Sequence, residues 1–111
     1  MARQQEGTFK SHFINRLRAI FPGCMILKND AEYLQGIPDL LLLWEDRWAI
    51  FEVKRKPPTS PRDFEPNQEY YIEELDRMSF AACVFPENEE EVLDALQRQF
   101  QTRRKTRVSQ R

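Results

Sequence analysis

Asp39, Glu52 and Lys54 are charged residues set in the most apolar stretch of the chain, Gly36 to Arg55. Read with the two-residue period of a strand, Trp48, Ile50, Glu52 and Lys54 share one face, and Ala49, Phe51, Val53 and Arg55 share the other. Glu52 and Lys54 are thus neighbours at the end of an otherwise apolar strand, where a carboxylate and an amine are costly unless something pairs with them. The favoured turn before this strand is Glu45-Asp46. A turn centred there, of two residues or four, puts Asp39 directly opposite Glu52. Opposed residues hold their Cβ atoms about 4.5–5.5 Å apart, and like charges so placed destabilise a sheet. Such a pair calls for a cation. A hard divalent ion such as Mg²⁺ fits best, taking carboxylate oxygens alongside water and a substrate phosphate. Singly, each fragment has a plainer explanation: Asp39 as loop-edge polarity after Pro38, and Glu52 with Lys54 as a local ion pair. The common register is what joins them.

The elements that must position these residues follow from periodicity. Phe9, Phe13, Leu17, Ile20 and Phe21 recur at helical spacing and predict an amphipathic helix from about Glu6 to Phe21, closed by Pro22-Gly23. Cys24 to Lys28 reads as a short strand and Asn29 to Gln35 as a polar loop. Gly36 to Trp44 reads as a second strand, whose unbroken leucines predict burial on both faces, and Arg47 to Arg55 as a third. Pro57, Pro58, Pro61 and Pro66 impose an extended loop over Lys56 to Pro66. A second helix starts near Pro66 and uses Tyr71, Ile72, Leu75 and Met78, and a fourth strand covers Ala81 to Phe85. The last helix runs through Val92, Leu93, Leu96 and Phe100, with Asn88 placed to cap it and Glu91 to complete a capping box. This α/β order predicts one domain over residues 1–101, followed by a basic tail at 102–111 that is free to be flexible.

Composition narrows the classes. A chain of 111 residues suits one core, and 41% hydrophobic with 12% aromatic content can fill it, which argues against wholesale disorder. The longest apolar run, Leu40 to Trp44, is far short of the roughly 18 residues of a membrane span, and Met1 to Gln5 is polar rather than signal-like, so no membrane partner is expected. Cys24 and Cys83 are too few for a disulfide framework and read as buried thiols of a cytoplasmic protein. The one histidine, His12, is expected exposed, and with two distant cysteines it cannot make a standard zinc site. Six of the 17 basic residues lie from Arg98 onward with no acid among them, leaving 11 basic against 18 acidic residues before it. An acidic body with a basic end suggests a polyanionic partner met through that end, although charged termini are often only solvated.

Gly36-Ile37-Pro38-Asp39 followed by Glu52-Val53-Lys54 resembles the PD-(D/E)xK nuclease signature. With Gly-Ile-Pro-Asp-Leu-Leu-Leu, Trp-Ala-Ile-Phe-Glu-Val-Lys and a downstream Pro-Asn-Gln, the chain is most similar to small virus-type members of the VRR-NUC group, over roughly Glu6 to Phe100. The resemblance implies an αβββαβα restriction-endonuclease-like core with a central mixed four-stranded sheet. It implies that Asp39, Glu52 and the Val53 carbonyl ligate Mg²⁺ (Mn²⁺ substituting), and that Lys54 orients the attacking water or stabilises phosphate charge. An acid on the first helix is also implied, and Glu6 is the one available there; its position is equally that of a dipole-favoured acid in a first turn. Gln68 matches the glutamine after the loop, whereas Ile72 stands where related nucleases carry a tyrosine. DNA, branched or duplex, would then meet Lys28, Arg55, Lys56, Arg103, Arg104 and Lys105. By the same resemblance the protein acts as a homodimer on four-way junctions, with Tyr70, Tyr71 or the region of Phe100 supplying the contact. The alternatives are a sequence-specific restriction or homing-type nuclease, and a non-catalytic nucleic-acid-binding module.

Overall fold

The structure, a computed structural model, describes residues 6–30 and 32–108, with side chains for 7–30 and 32–101. Its elements are helix α1 (Glu6–Ile20), strands β1 (Met25–Lys28), β2 (Leu40–Trp44) and β3 (Arg47–Val53), helix α2 (Gln68–Met78), strand β4 (Ala81–Val84) and helix α3 (Glu89–Val108). Short 3-10 turns, Pro61–Asp63 and Pro86–Asn88, precede α2 and α3. The strands form one mixed sheet in the order β1-β2-β3-β4, antiparallel at the first two pairings and parallel at β3–β4. A parallel pair needs a crossover, and α2 supplies it, packing on β3 and β4. This is an α/β protein with a four-stranded mixed sheet flanked by helices.

One face of the sheet is the core. Leu40, Leu42, Ala49, Phe51, Val53 and Val84 pack with Phe9, Phe13, Leu17 and Phe21 of α1 and Val92, Leu93, Leu96 and Phe100 of α3. Phe13 meets Phe51 edge-on at 5.1 Å between ring centroids, a favoured aromatic geometry. Strand alternation sends Leu41, Leu43, Ile50 and Glu52 to the other face. Over β1 and β2 that face is thinly covered: Met25 is 61% exposed and Leu27 43%. The leucine run is therefore fully buried on one side only, at Leu40 and Leu42, rather than on both as expected.

Other boundaries differ for local reasons. Gly36–Asp39 is loop, not strand, because Gly36 adopts φ +93° and Pro38 has no amide hydrogen for a ladder. Asn88 does stand before α3, but its side chain accepts from the Phe85 N–H (2.8 Å) and donates to the Cys83 carbonyl (3.0 Å), so the expected box with Glu91 is not made. Met78 is 59% exposed instead of joining the apolar face of α2, and Phe100 is fully buried in the core instead of offering an outside contact. Both cysteines are half-buried, and burial pushes the Cys24 thiol pKa up. The last helix does not stop near Phe100. Residues 102–108, part of the expected tail, continue α3, and the side chains of Arg103, Arg104 and Lys105 lie outside the described residues.

Candidate active site

The β2–β3 hairpin turns at Glu45-Asp46, with Glu45 in the left-handed region at φ 58°. The buried Arg47 fixes this turn by ion pairs to Glu45 (3.1 Å) and Asp46 (3.2 Å). From Trp44 opposite Arg47 the ladder runs to Leu40 opposite Phe51. One step on, Asp39 faces Glu52, the register that the turn position predicts. The ladder then gives way to the side chain: Asp39 Oδ1 accepts a hydrogen bond from the Val53 N–H at 3.3 Å.

Asp39 is held from two further directions that the sequence did not suggest. Asn29, just past β1, donates its backbone N–H to the Asp39 carbonyl (2.8 Å) and its side-chain amide to the Pro38 carbonyl (2.7 Å), clamping the Pro-Asp dipeptide. Lys10 of α1 reaches over the end of the sheet and donates to Asp39 Oδ2. Glu6, the first-helix acid expected to take part, lies outside the residues whose side chains are described; among the described side chains of α1, Lys10, one helical turn on, is the one that reaches Asp39.

Glu52 is buried, 7% exposed, and Lys54 Nζ stands 3.7 Å from its Oε2. Lys54 is aimed by several groups. Its amine donates to the Asp63 carbonyl (3.1 Å), approaches Gln68 Oε1 (3.5 Å) and lies 5.5 Å from the centre of the Phe64 ring. Gln68 is buried rather than a surface-helix residue, and its Oε1 also accepts from the Glu65 N–H at 3.0 Å. The structure thus brings Asp39, Glu52, Lys54 and Gln68 together.

Two backbone devices bring the loops to this point. A Cβ on Gly36 would lie 2.4 Å from the Pro66 carbonyl oxygen, so only glycine allows the loop before Asp39 to touch the chain entering α2. Asp63 closes its own turn, accepting from the Thr59 N–H (2.7 Å) and the Ser60 N–H (3.2 Å), and these bonds hold its carboxyl below the usual range. Beside the turn, Lys54, Arg55, Lys56, Pro57, Pro58 and Asp63 line an open cleft of about 150 Å³. Arg55 and Lys56 are exposed there, and Lys28, also exposed, lies across the ladder from Leu40.

Neither a known protein family, a curated protein nor a solved structure matches the chain. Among the described residues no group of three or more His, Cys, Asp or Glu side chains is placed to hold a metal. What is present is two carboxylates in facing register with a main-chain carbonyl at Val53, an oxygen-only set of the kind hard divalent cations accept, with water or substrate filling the rest. The donor chemistry fits such an ion, provided that Lys10 gives up Asp39. His12, 56% exposed at its side chain, lies 3.4 Å from Glu89 on the α1–α3 seam and takes no part. No helix among the described residues is long and apolar enough to cross a membrane.

Proposed function

We propose that this chain is a metal-dependent DNA endonuclease with a restriction-endonuclease-like core, hydrolysing phosphodiester bonds at Asp39, Glu52 and Lys54. The observation that carries the reading is the burial of Glu52 opposite Asp39 with Lys54 alongside: a fold seldom places two acids face to face at a strand end unless a cation is meant to join them. Mg²⁺, or Mn²⁺ in its place, would be held by Asp39, Glu52 and the Val53 carbonyl, and would supply charge neutralisation and a water made acidic enough to attack near neutral pH. The protein's own part is positioning. Asn29 and the Val53 N–H fix Asp39, the Glu52 carboxylate is carried at the end of a strand paired on both sides, and Lys54 presents a directed ammonium where a phosphate oxygen gains charge. Gln68 and the Asp63 carbonyl keep Lys54 pointed inward, which lowers the reorganisation needed during reaction.

Branched DNA is the proposed substrate, with a homodimer providing two centres for paired cuts; a closed two-fold pair offers the two sites that symmetric incision needs. Tyr70, 60% exposed on α2, and the half-buried Tyr71 packed edge-on beside it are the aromatics proposed for that contact. The test is digestion of linear, flapped and four-way DNA with Mg²⁺, with Mn²⁺ and with excess chelator, using Asp39→Asn as control. Metal-dependent cutting lost in Asp39→Asn supports the assignment. Cutting that survives chelator, or binding without any cutting, would replace it with a metal-free enzyme or a non-catalytic module. Sedimentation showing only a 13.3 kDa species would remove the dimer alone.

A further inference from the structure

The charges of the site are arranged as two lysine–carboxylate couples: Lys10 with Asp39 and Lys54 with Glu52. The couples are not equivalent. Lys54 is tied down by the Asp63 carbonyl and Gln68, lies on the same strand end as its acid, and can keep its place whatever happens to Glu52. Among the described side chains Lys10 has one polar partner, Asp39, reached from a different element across 29 residues of sequence. Both members of that pair are only half-buried, 26% and 28% exposed at the side chain, so solvent can take over their charges and the contact is cheap to open. It also occupies Asp39 Oδ2, while Oδ1 is already engaged by the Val53 N–H. A cation cannot take Asp39 fully while Lys10 remains.

From this geometry we infer that Lys10 is an exchangeable counter-ion: it holds Asp39 in the metal-free protein and, once Asp39 turns to the metal, binds a non-bridging oxygen of the substrate phosphate. The inference rests on the metal-dependent nuclease reading and adds a residue and a sequence of contacts to it. An ammonium on a four-carbon stem suits the exchange, because its charge and three donors can swing between two acceptors without moving α1. The same amine would keep two facing acids tolerable before metal arrives. It would also place a positive charge at the mouth of the site when the anionic substrate comes in.

The experiment compares wild type, Lys10→Met, Lys10→Arg and Asp39→Asn. Mn²⁺ affinity is measured without DNA by electron paramagnetic resonance. Binding of a fluorescent four-way junction with Mn²⁺ is then measured by anisotropy in a Lys54→Ala background, which slows cutting. Thermal melts verify that each variant is folded. Lys10→Met should bind Mn²⁺ roughly two- to fivefold tighter, because its competitor for Asp39 is gone, and should bind the junction weaker by a similar factor. Lys10→Arg should bring both values back towards wild type. Unchanged or weaker Mn²⁺ binding in Lys10→Met, or unchanged junction binding, overturns the exchange while leaving a metal nuclease standing. Wild type that binds no Mn²⁺ differently from Asp39→Asn overturns the metal site and the exchange together.

Discussion

Phe51 and Glu52 are consecutive residues of β3 that serve opposite sides of one sheet. Phe51 is fully buried against Phe13 and Phe80, in a face filled by two helices. Glu52 is nearly as buried, yet it stands in register with Asp39 and beside the Lys54 amine, which the loop leading to α2 holds in place. Burial on the first side is a gain, roughly 1.5–3 kcal/mol for a large apolar side chain. On the second it is a cost, met by countercharges and justified only by what the charges do. Stability and chemistry are thus separated by a strand's thickness, with the aromatic layer behind holding the acids in front at fixed height.

That separation can be broken from either side. Glu52→Gln keeps the volume and removes a ligand charge. Its cleavage rate should fall by at least about 10³, since even one preorganised electrostatic group is commonly worth about 10²–10³, while its melting temperature should stay near that of wild type. Phe51→Ala should do the converse. It should lose about 3–5 kcal/mol of stability in denaturant melts and retain measurable cutting in whatever fraction remains folded. A variant pair that moved rate and stability together would mean that the two faces are not independent.

Smaller effects sharpen the same contrast. Lys54→Ala should lower turnover about 10²–10³ with little change in DNA binding, seen by single-turnover rates against anisotropy. Equal losses would make Lys54 a phosphate anchor only. Gly36→Ala touches neither ligand nor core, but its left-handed backbone alone should cost about 1–3 kcal/mol, and its Cβ must push the Pro66 carbonyl away. Its melting temperature and its Mn²⁺ affinity should therefore drop together, which substitutions in the core should not cause.

How far the sequence went is clear from the same residues. The hairpin register was legible because it depends on local things, a two-residue turn and a period of two, and so Asp39 opposite Glu52 could be counted off. The α/β order and the aromatic face of α1 were legible for the same reason. Lys10, Asn29 and the Gly36–Pro66 contact were not, because each is a meeting of segments distant along the chain, which a single sequence does not encode in any period. Gln68 was readable as a candidate only through resemblance. Its burial against Lys54 depends on how the proline-rich loop folds back. Asn88 misled because an N-cap residue has a choice of partners, and here the 3-10 turn before α3 captures its side chain.

The smallest expected effect is on acidity. Because hydrogen bonds from Thr59 and Ser60 lower the Asp63 carboxyl in the folded chain, its contribution to the turn is present above the ordinary carboxylate pKa, about 3.9, and fades as pH falls through the lower folded value. Amide protection at Thr59 and Ser60 should hold steady from pH 8 to 5 and drop below about pH 4, with the core amides unaffected. Protection that instead fell between pH 7 and 5 would point to a histidine or to another acid.

The turn at Glu45-Asp46 stands six residues from Asp39 along one arm and six from Glu52 along the other, roughly 20 Å from the chemistry. Its length nevertheless sets which atoms meet at the far end. In evolutionary terms the hairpin behaves like a reading frame. Point changes in the turn are tolerable, but a single inserted or deleted residue, unless swallowed by a bulge, slides one arm and carries Asp39 to the wrong side of the sheet. Lineages of this protein can therefore vary the identity of the tip far more freely than its count. Gains and losses of sequence should collect instead in the proline-rich loop, where no ladder has to stay in step.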